Sequence, residues 1–550
     1  MIDKRARLFS ISELTIILLL ACVPLFVQFP YRVNIFLSWE GAYRMSQGEI
    51  PYKDFGLPLG YMYWVIPALF FKIFGVKMIT LVKAQVFINI LSGLAFRSIL
   101  KSLSVQPGIR LLSVFLYCIS FSFFNFWPWY NHTVIVYEMI GLAFLMHYFF
   151  STKKTRWIQL VLSALFIFFS FFTKQDGGAL AILLSIALLL YYSIRMKDWK
   201  PIVIFGASFL LIAVAIIYPL TKYSFSYWFN HGQPPHTARF SFREILDDFF
   251  YGSQFIKFYL LIIALLVIAL YKKWKDAFND TRTMLFLLLT TGILAEAAII
   301  QVTSYTPPDN NIFFHSFAFA FIFSYLSGFL KLDFSKYKNL AVFGFGLILW
   351  WSASYWKYIQ RIIERVSPPS ASVTQAGGEN IVNRATYMIH TDSGEIPMSE
   401  WKFSNLPSFK DIYMPAPTVE GIDRLMKMDI VKSNKNLNVL NMSELTPLAA
   451  EIPYKLEKGE GYPLWYHLGV GMFNKQAEMF EQKIKNKNYD LVLFEYIPSL
   501  NNFYPFRVRD TLLNNYYKID SFPAPRRGDT RGMIEVFVKP TDSTGIKSIQ

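Results

Sequence analysis

The sequence predicts a polytopic α-helical membrane protein with about eleven transmembrane helices, one interfacial segment and a C-terminal extracytoplasmic α/β domain. Hydrophobic residues make up 54% of the 550 residues and charged residues only 17%, whereas a soluble domain is about one quarter charged. Twelve apolar runs follow one another up to residue 355. Beyond it the chain is polar, and strand signals alternate with helix signals. These three observations predict the two-part architecture.

The net charge of +16 is explained by the loops rather than by a nucleic-acid partner. Roughly 19 basic residues fall in six short segments between apolar runs, where the positive-inside rule places them. Cys22 and Cys118 both lie in apolar runs, so no disulfide framework and no thiolate metal site is expected.

The first apolar run, residues 11–30, is long enough at about 1.5 Å per residue to cross about 30 Å of hydrocarbon. Lys4, Arg5 and Arg7 precede it and no small-residue cleavage site follows, so we expect an uncleaved first helix with a cytoplasmic N-terminus. The later runs lie at residues 59–76, 79–100, 111–126, 133–150, 157–173, 178–194, 201–220, 255–271, 283–302, 312–330 and 340–355.

Charge indicates that the run at residues 59–76 does not cross the membrane. If it crossed, the basic residues of five later loops would face outward, against the positive-inside rule. If it lies in the interface, aided by Pro58, Pro67 and an aromatic belt, all five loops face the cytoplasm. The prediction is therefore eleven spanning helices, with the N-terminus inside and the C-terminus outside.

The chain is predicted to divide into a transmembrane domain at residues 1–356 and an extracytoplasmic linker with a small α/β domain at residues 357–550. Residues 366–394 have the composition of an irregular linker. The tail domain is expected to contain helices near residues 419–428, 475–485 and 507–515, and strands at 437–441, 491–496, 517–522 and 533–539.

The outer loop after the first span, residues 38–58, reads SWEGAYRMSQGEIPYKDFGLP and places three acids between two strongly apolar regions. A carboxylate held at the membrane surface costs several kcal/mol when it is partly desolvated, so such a residue is a functional-site candidate. Glu40 is the first of these acids and the principal candidate.

The motif EGAY at residues 40–43, followed by GEIPYKDF at residues 48–55 and by Pro58, resembles the GT-C glycosyltransferases. This family of polytopic enzymes includes the protein O-mannosyltransferases, the lipid A aminoarabinose transferases and many bacterial relatives. Its pattern is an acid just after the first helix, a small-residue turn and a G-x-x-P-Y-x-D-F-like segment before a proline-started apolar run. Residues 172–177, FTKQDG, also resemble the lysine-glycine ending of a later helix in that family.

The resemblance implies transfer of a sugar from a polyprenyl-phosphate carrier to an acceptor on the outer side of the membrane. The lipid phosphate is a stable anionic leaving group, so the reaction needs a base for the acceptor hydroxyl and cations for the phosphate. Glu40 matches the family's catalytic acid, where most relatives have Asp. Leu57 precedes Pro58 where many relatives have a basic residue, so the phosphate contact is expected elsewhere.

Two further acids are catalytic candidates beside Glu40. Asp54 lies in the P-Y-x-D-F turn, where the alternative role is binding of backbone amides. Glu138 lies about one and a half turns inside a predicted span, where an unpaired acid is expensive. Its alternative is a structural pair with a neighbouring helix.

The other candidates are expected to bind substrate. Lys174, Lys83, Arg239 and His315 are the candidate phosphate ligands, and Lys174 has the alternative of pairing with Asp176. Arg239 shares one outer loop with His231 and His236, and Asp309 with Asn310, Asn311 and His315 resembles a D-x-x-H feature of some relatives. The candidate substrate ligands are Tyr52, Gln175, Asp176 and Asp309.

No metal or other cofactor is expected, because the first loop lacks the D-x-D motif of the metal-dependent oligosaccharyl transferase relatives. The expected partners are membrane lipid, the polyprenyl-phosphate sugar and a glycan, lipid or protein acceptor, in the inner (plasma) membrane of a cell. Two alternatives stay open. A transporter or flippase would hide charges near mid-bilayer, and a polysaccharide polymerase or ligase usually carries arginine-rich outer loops.

Overall fold

The computed structural model describes most of the chain. The described residues are 2–26, 29–30, 35–121, 125–229, 241–271, 274–303, 312–352, 355–356, 359, 396, 400–410, 412–433, 436–464, 466, 471–498, 504–526 and 531–540. The predicted linker at residues 366–394 lies outside them.

The first part of the chain is a bundle of helices, because long apolar runs satisfy their backbone hydrogen bonds within one helix. In chain order these helices are α1 (Ile2–Cys22), α2 (Ile35–Ser46), α3 (Met62–Phe74), α4 (Met78–Ser102), α5 (Pro107–Ser120), α6 (Tyr130–Phe150), α7 (Trp157–Phe171), α8 (Gln175–Met196), α9 (Lys200–Ile217), α10 (Phe242–Tyr251), α11 (Gln254–Leu270), α12 (Trp274–Asn279), α13 (Thr281–Thr303), α14 (Phe314–Phe329) and α15 (Tyr337–Trp350). A two-residue strand, β1 (Phe29–Pro30), separates α1 from α2.

This bundle belongs to a polytopic membrane protein. Among the described residues, seven helices are long and apolar enough to cross a membrane, namely α1, α4, α6, α7, α8, α9 and α13. Helices α10 and α11 meet at an 82° bend and add an eighth span if they count as one. Leu210 and Leu211 on α9 are 65% and 71% exposed, as expected for side chains that face lipid rather than water.

The prediction of eleven spans stays a prediction. Helices α5, α14 and α15 are apolar but have only 14, 16 and 14 residues. At about 1.5 Å per residue they reach about 21–24 Å, less than the thickness of the hydrocarbon core. Helix α3 has 13 residues with Pro67 inside it, and is likewise too short to cross, which is what the interfacial prediction requires.

A buried ion triad joins the first helix to the rest of the bundle. The Glu13 carboxylate on α1 is fully buried and accepts hydrogen bonds from Arg97 on α4 at 2.6 Å and Arg110 on α5 at 2.7 Å. Arg110 directly precedes the apolar run at residues 111–126 in the sequence, and it belongs to the first turns of α5. Removing one member would leave an uncompensated buried charge, so the triad fixes how these three helices pack.

The tail folds into two small sheets with helices. Its elements are β2 (Trp401–Phe403), β3 (Ile412–Pro415), α16 (Ala416–Lys427), α17 (Asp429–Ser433), β4 (Leu437–Met442), β5 (Tyr454–Lys455), α18 (Phe473–Lys485), β6 (Leu491–Tyr496), α19 (Phe506–Asn515), β7 (Tyr517–Pro523) and β8 (Met533–Val538). The larger sheet has the order β5-β4-β6-β8-β7, with β4 parallel to β5 and β6, and β8 antiparallel to β6 and β7. The predicted α/β domain is confirmed.

The tail is tied to the beginning of the chain. In the smaller sheet β3 pairs parallel with β1 and antiparallel with β2, so a strand that follows α1 belongs to a tail sheet. The 3-10 turn Thr446–Ala450 lies on α2, where the Tyr43 hydroxyl donates to the Ala449 carbonyl at 3.2 Å. One hydrophobic core includes residues of α2, α3 and the tail. The domain division near residue 356 therefore stays a prediction, with β1 as a strand shared across it.

Candidate active site

Glu40 lies on a helix rather than in an irregular loop. Residues 38–46 of the predicted outer loop are helical and belong to α2, whereas the outer location of this segment stays a prediction. Gly41 explains how this helix packs, since a Cβ there would lie 2.0 Å from Cε2 of Trp64 on α3. The Trp64 indole also donates to the Leu37 carbonyl at 3.0 Å. These contacts fix α2, and with it the direction of Glu40.

The Glu40 carboxylate is held by Arg44, one turn further along α2. Nε and Nη2 of Arg44 both lie 2.9 Å from Oε1 of Glu40. Nη1 of Arg44 donates to Oε2 of Glu49 and to the Glu457 carbonyl of the tail, each at 2.9 Å. The Arg44 side chain is 1% exposed, and the rings of Phe55 and Tyr462 flank its guanidinium.

The second carboxylate oxygen of Glu40 is not held in this way. Among the described residues, Oε2 of Glu40 accepts no hydrogen bond, and the side chain is 14% exposed. Burial raises the pKa of the Glu40 carboxyl above its ordinary value, and the Arg44 guanidinium opposes this shift without cancelling it. A carboxylate with one fixed oxygen and one open, more basic oxygen is suited to accept a proton.

Glu40 faces a cavity of about 10 Å³ under the tail domain. The lining is Glu40, Arg44, Val439, Asn441, Thr446, Ala449, Tyr454, Leu456, Glu457 and Tyr462. We call residues 454–464, which supply four of these side chains, the covering segment. It is bound to the first loop, since Gly56 N donates to the Tyr462 carbonyl at 2.7 Å and Gly459 N to the Asp54 carbonyl at 2.8 Å. The cavity has room for about one water molecule.

Asp54 and Tyr52 shape the turn beside α2. The Asp54 carboxylate accepts from Ile50 N at 2.8 Å, which is the turn-stabilising role given as its alternative. Tyr52 adopts a φ of +66°, is buried, and donates its hydroxyl to the Leu59 carbonyl at 2.7 Å. A catalytic role for Asp54 and a substrate contact for Tyr52 stay predictions.

Lys174, Gln175 and Asp176 form the start of helix α8. Nζ of Lys174 lies 3.2 Å from Oδ2 of Asp176 and 5.8 Å from the centroid of the Tyr130 ring, and the side chain is 9% exposed. Gln175 donates to the Trp228 carbonyl at 2.8 Å. The ion pair given as the alternative for Lys174 is present, and the phosphate contact stays a prediction.

A series of aromatic rings connects Lys174 with Glu40. Tyr130 contacts Tyr63 with ring centroids 5.8 Å apart, and Tyr63 contacts Trp64 at 4.6 Å. Trp64 contacts Phe55 at 5.7 Å, and Phe55 lies under Arg44. The two principal candidates therefore lie at the same end of the helix bundle, joined through α3 and the first turn.

Lys83 and His315 lie apart from this cluster. Lys83 is exposed on α4, with Nζ 5.4 Å from the Phe74 ring. His315 on α14 is buried, and its Nδ1 is 2.8 Å from the Tyr259 hydroxyl. It lines an apolar cavity of about 530 Å³ between α5, α11, α14 and α15. The structure does not bring His315 to Glu40 through any described contact.

Glu138 meets a second acid that the sequence analysis did not include. Its carboxyl on α6 interacts with that of Glu296 on α13, and both side chains are buried. Glu138 is eight residues and Glu296 seven residues from the nearer helix end, or about 10–12 Å at about 1.5 Å per residue. Neither forms an ion pair with a basic side chain in the described part of the chain. The alternative of a pair with a neighbouring helix therefore fits this contact.

Four of the residues singled out in the sequence cannot be placed. Arg239 and Asp309, together with His231 and His236, lie outside the described residues. Within the described ranges, no three side chains of His, Cys, Asp or Glu converge as a metal site would require.

The sequence analysis missed Arg44, which binds Glu40, and it missed Glu457 and Tyr462, which contact Arg44 and line the same cavity. Arg44 had a usable signal, because it follows Glu40 by four residues and would face it on any helix. Glu457 and Tyr462 lie more than 400 residues further along the chain, where no local pattern marks them.

Fold and site together define a polytopic membrane protein in which a buried Glu40–Arg44 pair lies between one end of the bundle and a C-terminal α/β domain. Two solved structures are similar to the chain. ArnT from Cupriavidus metallidurans in the apo state shares 12% sequence identity over 96% of this chain and 98% of that one, with a TM-score of 0.46. ArnT from the same organism bound to undecaprenyl phosphate shares 11% identity over 96% of this chain and 97% of that one, with a TM-score of 0.45. No family model and no curated protein sequence matches the chain.

Proposed function

We propose that this chain is an integral-membrane glycosyltransferase that moves a sugar from a polyprenyl-phosphate-linked donor to an acceptor hydroxyl. The observation that carries the proposal is the geometry of Glu40: Arg44 fixes Oε1, Oε2 accepts no hydrogen bond among the described residues, and the side chain lines a cavity at the end of the bundle. The motif at residues 40–55, which resembles the GT-C glycosyltransferases, supports the same reaction. In this proposal the protein lies in the inner (plasma) membrane, with Glu40 and the tail on the periplasmic or extracellular side.

The proposed reaction is a single displacement. Oε2 of Glu40 takes the proton of the acceptor hydroxyl, and the acceptor oxygen forms a bond to the anomeric carbon of the donor sugar. The bond from that carbon to the phosphate oxygen breaks, and the lipid phosphate leaves with the electron pair. Lys174 would stabilise the phosphate charge, so the proposed step uses side-chain cations and involves no metal.

The covering segment has to move for this reaction. A cavity of about 10 Å³ holds about one water molecule, which is far less than a sugar ring needs. Gly459 and Gly461 in the covering segment have φ values of +146° and +78°, a region that glycine adopts without strain. We therefore assign the described state to a closed form, and expect opening of this segment to admit the acceptor.

The direct test is incubation of purified protein with a panel of polyprenyl-phosphate-linked sugars and a mixture of envelope glycans and lipids as acceptors. Release of free polyprenyl phosphate is the readout, and we expect at least one donor to be consumed by the wild-type protein and not by the Glu40→Gln variant. A panel in which no donor is consumed, or is consumed equally by both proteins, would contradict the proposal.

One observation favours the alternative of a transporter or flippase. Glu138 and Glu296 place two carboxyl groups together inside the bundle, as proton-coupled carriers do. The same preparation in liposomes separates the two functions. A flippase moves the intact donor lipid between leaflets, whereas the proposed transferase cleaves it.

A further inference from the structure

A second, larger cavity lies in the tail domain beside the Glu40 cavity. Its volume is about 420 Å³, within the range of cavities that bind small molecules. The lining is polar and basic, and consists of Asn438, Val439, Lys455, Leu456, Glu457, Lys458, Lys483, Asn488 and Tyr489.

Positive charge exceeds negative charge in this lining. Three lysines, Lys455, Lys458 and Lys483, face a single acid, Glu457. That acid is already paired, since Nζ of Lys483 lies 2.5 Å from its Oε1. Lys455 and Lys458 are exposed, and neither lies within 4.0 Å of a carboxylate in the described part of the chain. Glu49 interacts electrostatically with Lys458 and is itself bonded to Arg44.

We call this second cavity, lined by Lys455, Lys458 and Lys483, the basic cavity. It shares one wall with the cavity that Glu40 lines. Val439, Leu456 and Glu457 line both. Glu457 is the connecting residue, because its carbonyl accepts from Arg44 at 2.9 Å while its carboxylate binds Lys483. A ligand in the basic cavity would therefore lie on the opposite side of the covering segment from Glu40.

We propose that the basic cavity binds the anionic group of a glycan, either a phosphate or a carboxylate. Lys455 and Lys458 supply unpaired charge, and a cleft lined with one sign of charge concentrates ligands of the opposite sign. Asn438 and Asn488 offer amide groups to sugar hydroxyls. The proposal of a binding site depends only on this geometry. The further proposal, that the bound glycan is the acceptor of the transferase, rests on the proposed function.

The test measures binding rather than turnover. Full-length protein in detergent is titrated with glucose 6-phosphate, glucuronic acid, inorganic phosphate and glucose, and binding is followed by saturation-transfer NMR. We expect at least one of the two anionic sugars to bind about tenfold or more tightly than glucose, with an affinity that falls as salt is raised. The comparison of the two anionic sugars distinguishes a phosphate site from a carboxylate site.

The matched variants locate the site. Lys455→Gln with Lys458→Gln should weaken binding of the preferred anionic sugar by about tenfold or more. Lys427→Gln with Lys432→Gln removes the same charge from exposed positions of the same domain, and should leave the affinity unchanged. Equal binding of glucose and the anionic sugars, no binding of either, or equal loss in both double variants would overturn the proposal. Glu40→Gln should keep the binding, so failure of the transferase assay and failure of this site are separate results.

Discussion

Arg44 places both Nε and Nη2 at 2.9 Å from the same oxygen of Glu40. This geometry orients the carboxylate and leaves its other oxygen for proton transfer. The buried guanidinium is also bonded to Glu49 and to the tail, so it stays in place when the charge on Glu40 changes. The first prediction tests this division of roles.

Glu40→Gln should lower the rate of lipid-phosphate release by about 10² to 10⁴, the usual contribution of a general base. The glutamine keeps an oxygen for Arg44 but accepts no proton, so donor affinity and unfolding stability should stay near wild type. Glu40→Asp should retain part of the activity, because aspartate keeps the carboxylate and shortens the side chain by one methylene group. Glu420→Gln, at a 59%-exposed carboxylate in the tail, is the control. Normal turnover by Glu40→Gln would remove the catalytic assignment.

Lys174→Ala should weaken donor binding far more than it slows the chemical step. A phosphate contact is present in both the ground state and the transition state, so it acts mainly as uniform binding. A charge-assisted contact contributes about 1.5–3 kcal/mol, or roughly 10- to 150-fold in the donor Kd. Lys222→Ala changes an exposed lysine and should leave the Kd unchanged. An unaltered Kd in Lys174→Ala would indicate a structural role for Lys174, such as its ion pair with Asp176, in place of the phosphate contact.

Gly41→Ala should disturb the site without touching its charges. The new Cβ would lie 2.0 Å from the Trp64 ring, so the indole has to move and α2 moves with it. Overpacking of this kind costs about 1–3 kcal/mol of unfolding stability, and we expect turnover to fall as well. Gly206→Ala on α9 meets no atom within 4 Å and should be neutral or slightly stabilising. Chemical unfolding in detergent with a parallel turnover assay compares the two, and equal behaviour would contradict the packing argument.

The stability of the tail should fall as pH rises through neutrality. Burial raises the pKa of Glu444 to about 8 from its ordinary 4.5, opposed by Arg526 and assisted by Glu495. Arg526 contacts both acids, donating to Glu444 at 2.6 Å. Between pH 4.5 and 8 the folded chain therefore keeps a proton that the unfolded chain releases. The resulting stability is complete below pH 4.5 and is lost as pH rises through 8.

Glu444→Gln should flatten this dependence, because the amide cannot ionise. Unfolding of the full chain measured at several pH values from 5 to 8 would show a smaller decline for the variant than for wild type. Glu420→Gln, again at an exposed position, should keep the wild-type slope. A wild-type slope in Glu444→Gln would show that another group titrates in this range.

Topology reporters test the proposed orientation. A reporter fused after Lys77 should be extracytoplasmic, because the preceding helix α3, with 13 residues, is predicted to lie in the interface rather than to cross the membrane. A reporter after Ser151, beside Lys153 and Lys154, should be cytoplasmic. The reverse pair of signals would show that α3 spans the membrane and would invalidate the prediction of eleven spans.

The parts of the fold that were predictable are those fixed by local pattern. Apolar runs were recognisable as helices because their length and hydropathy are local properties of the sequence. The tail strands at residues 491–496 and 517–522 were predictable because β-branched and aromatic residues bounded by turns need no distant partner to be recognised. Helix α2 was not predicted, because its 12 residues are too few to be helical alone and are held by Trp64 and the tail.

The candidate site shows the same limit. Glu40 was found because its motif is continuous in the sequence. Glu296 carries the signal that marked Glu138, an acid inside an apolar helix, so each residue is recognisable in the sequence. Their contact is not, since it depends on how α6 and α13 pack. Asp54 had two roles open in the sequence, and only the distance to Ile50 N shows which hydrogen bond it makes.

The pairing of β1 with β3 has a consequence for biosynthesis. Phe29 lies opposite Ile412, and Arg44 bonds to Glu457 across 413 residues. Contacts of such long sequence separation form late, because the intervening chain must first be made and placed. A nascent chain with every membrane helix inserted would still lack the covering segment beside Glu40. Completion of the last strands would then be the step that converts an inserted bundle into a finished protein, and chains terminated before residue 412 would be inactive despite correct insertion.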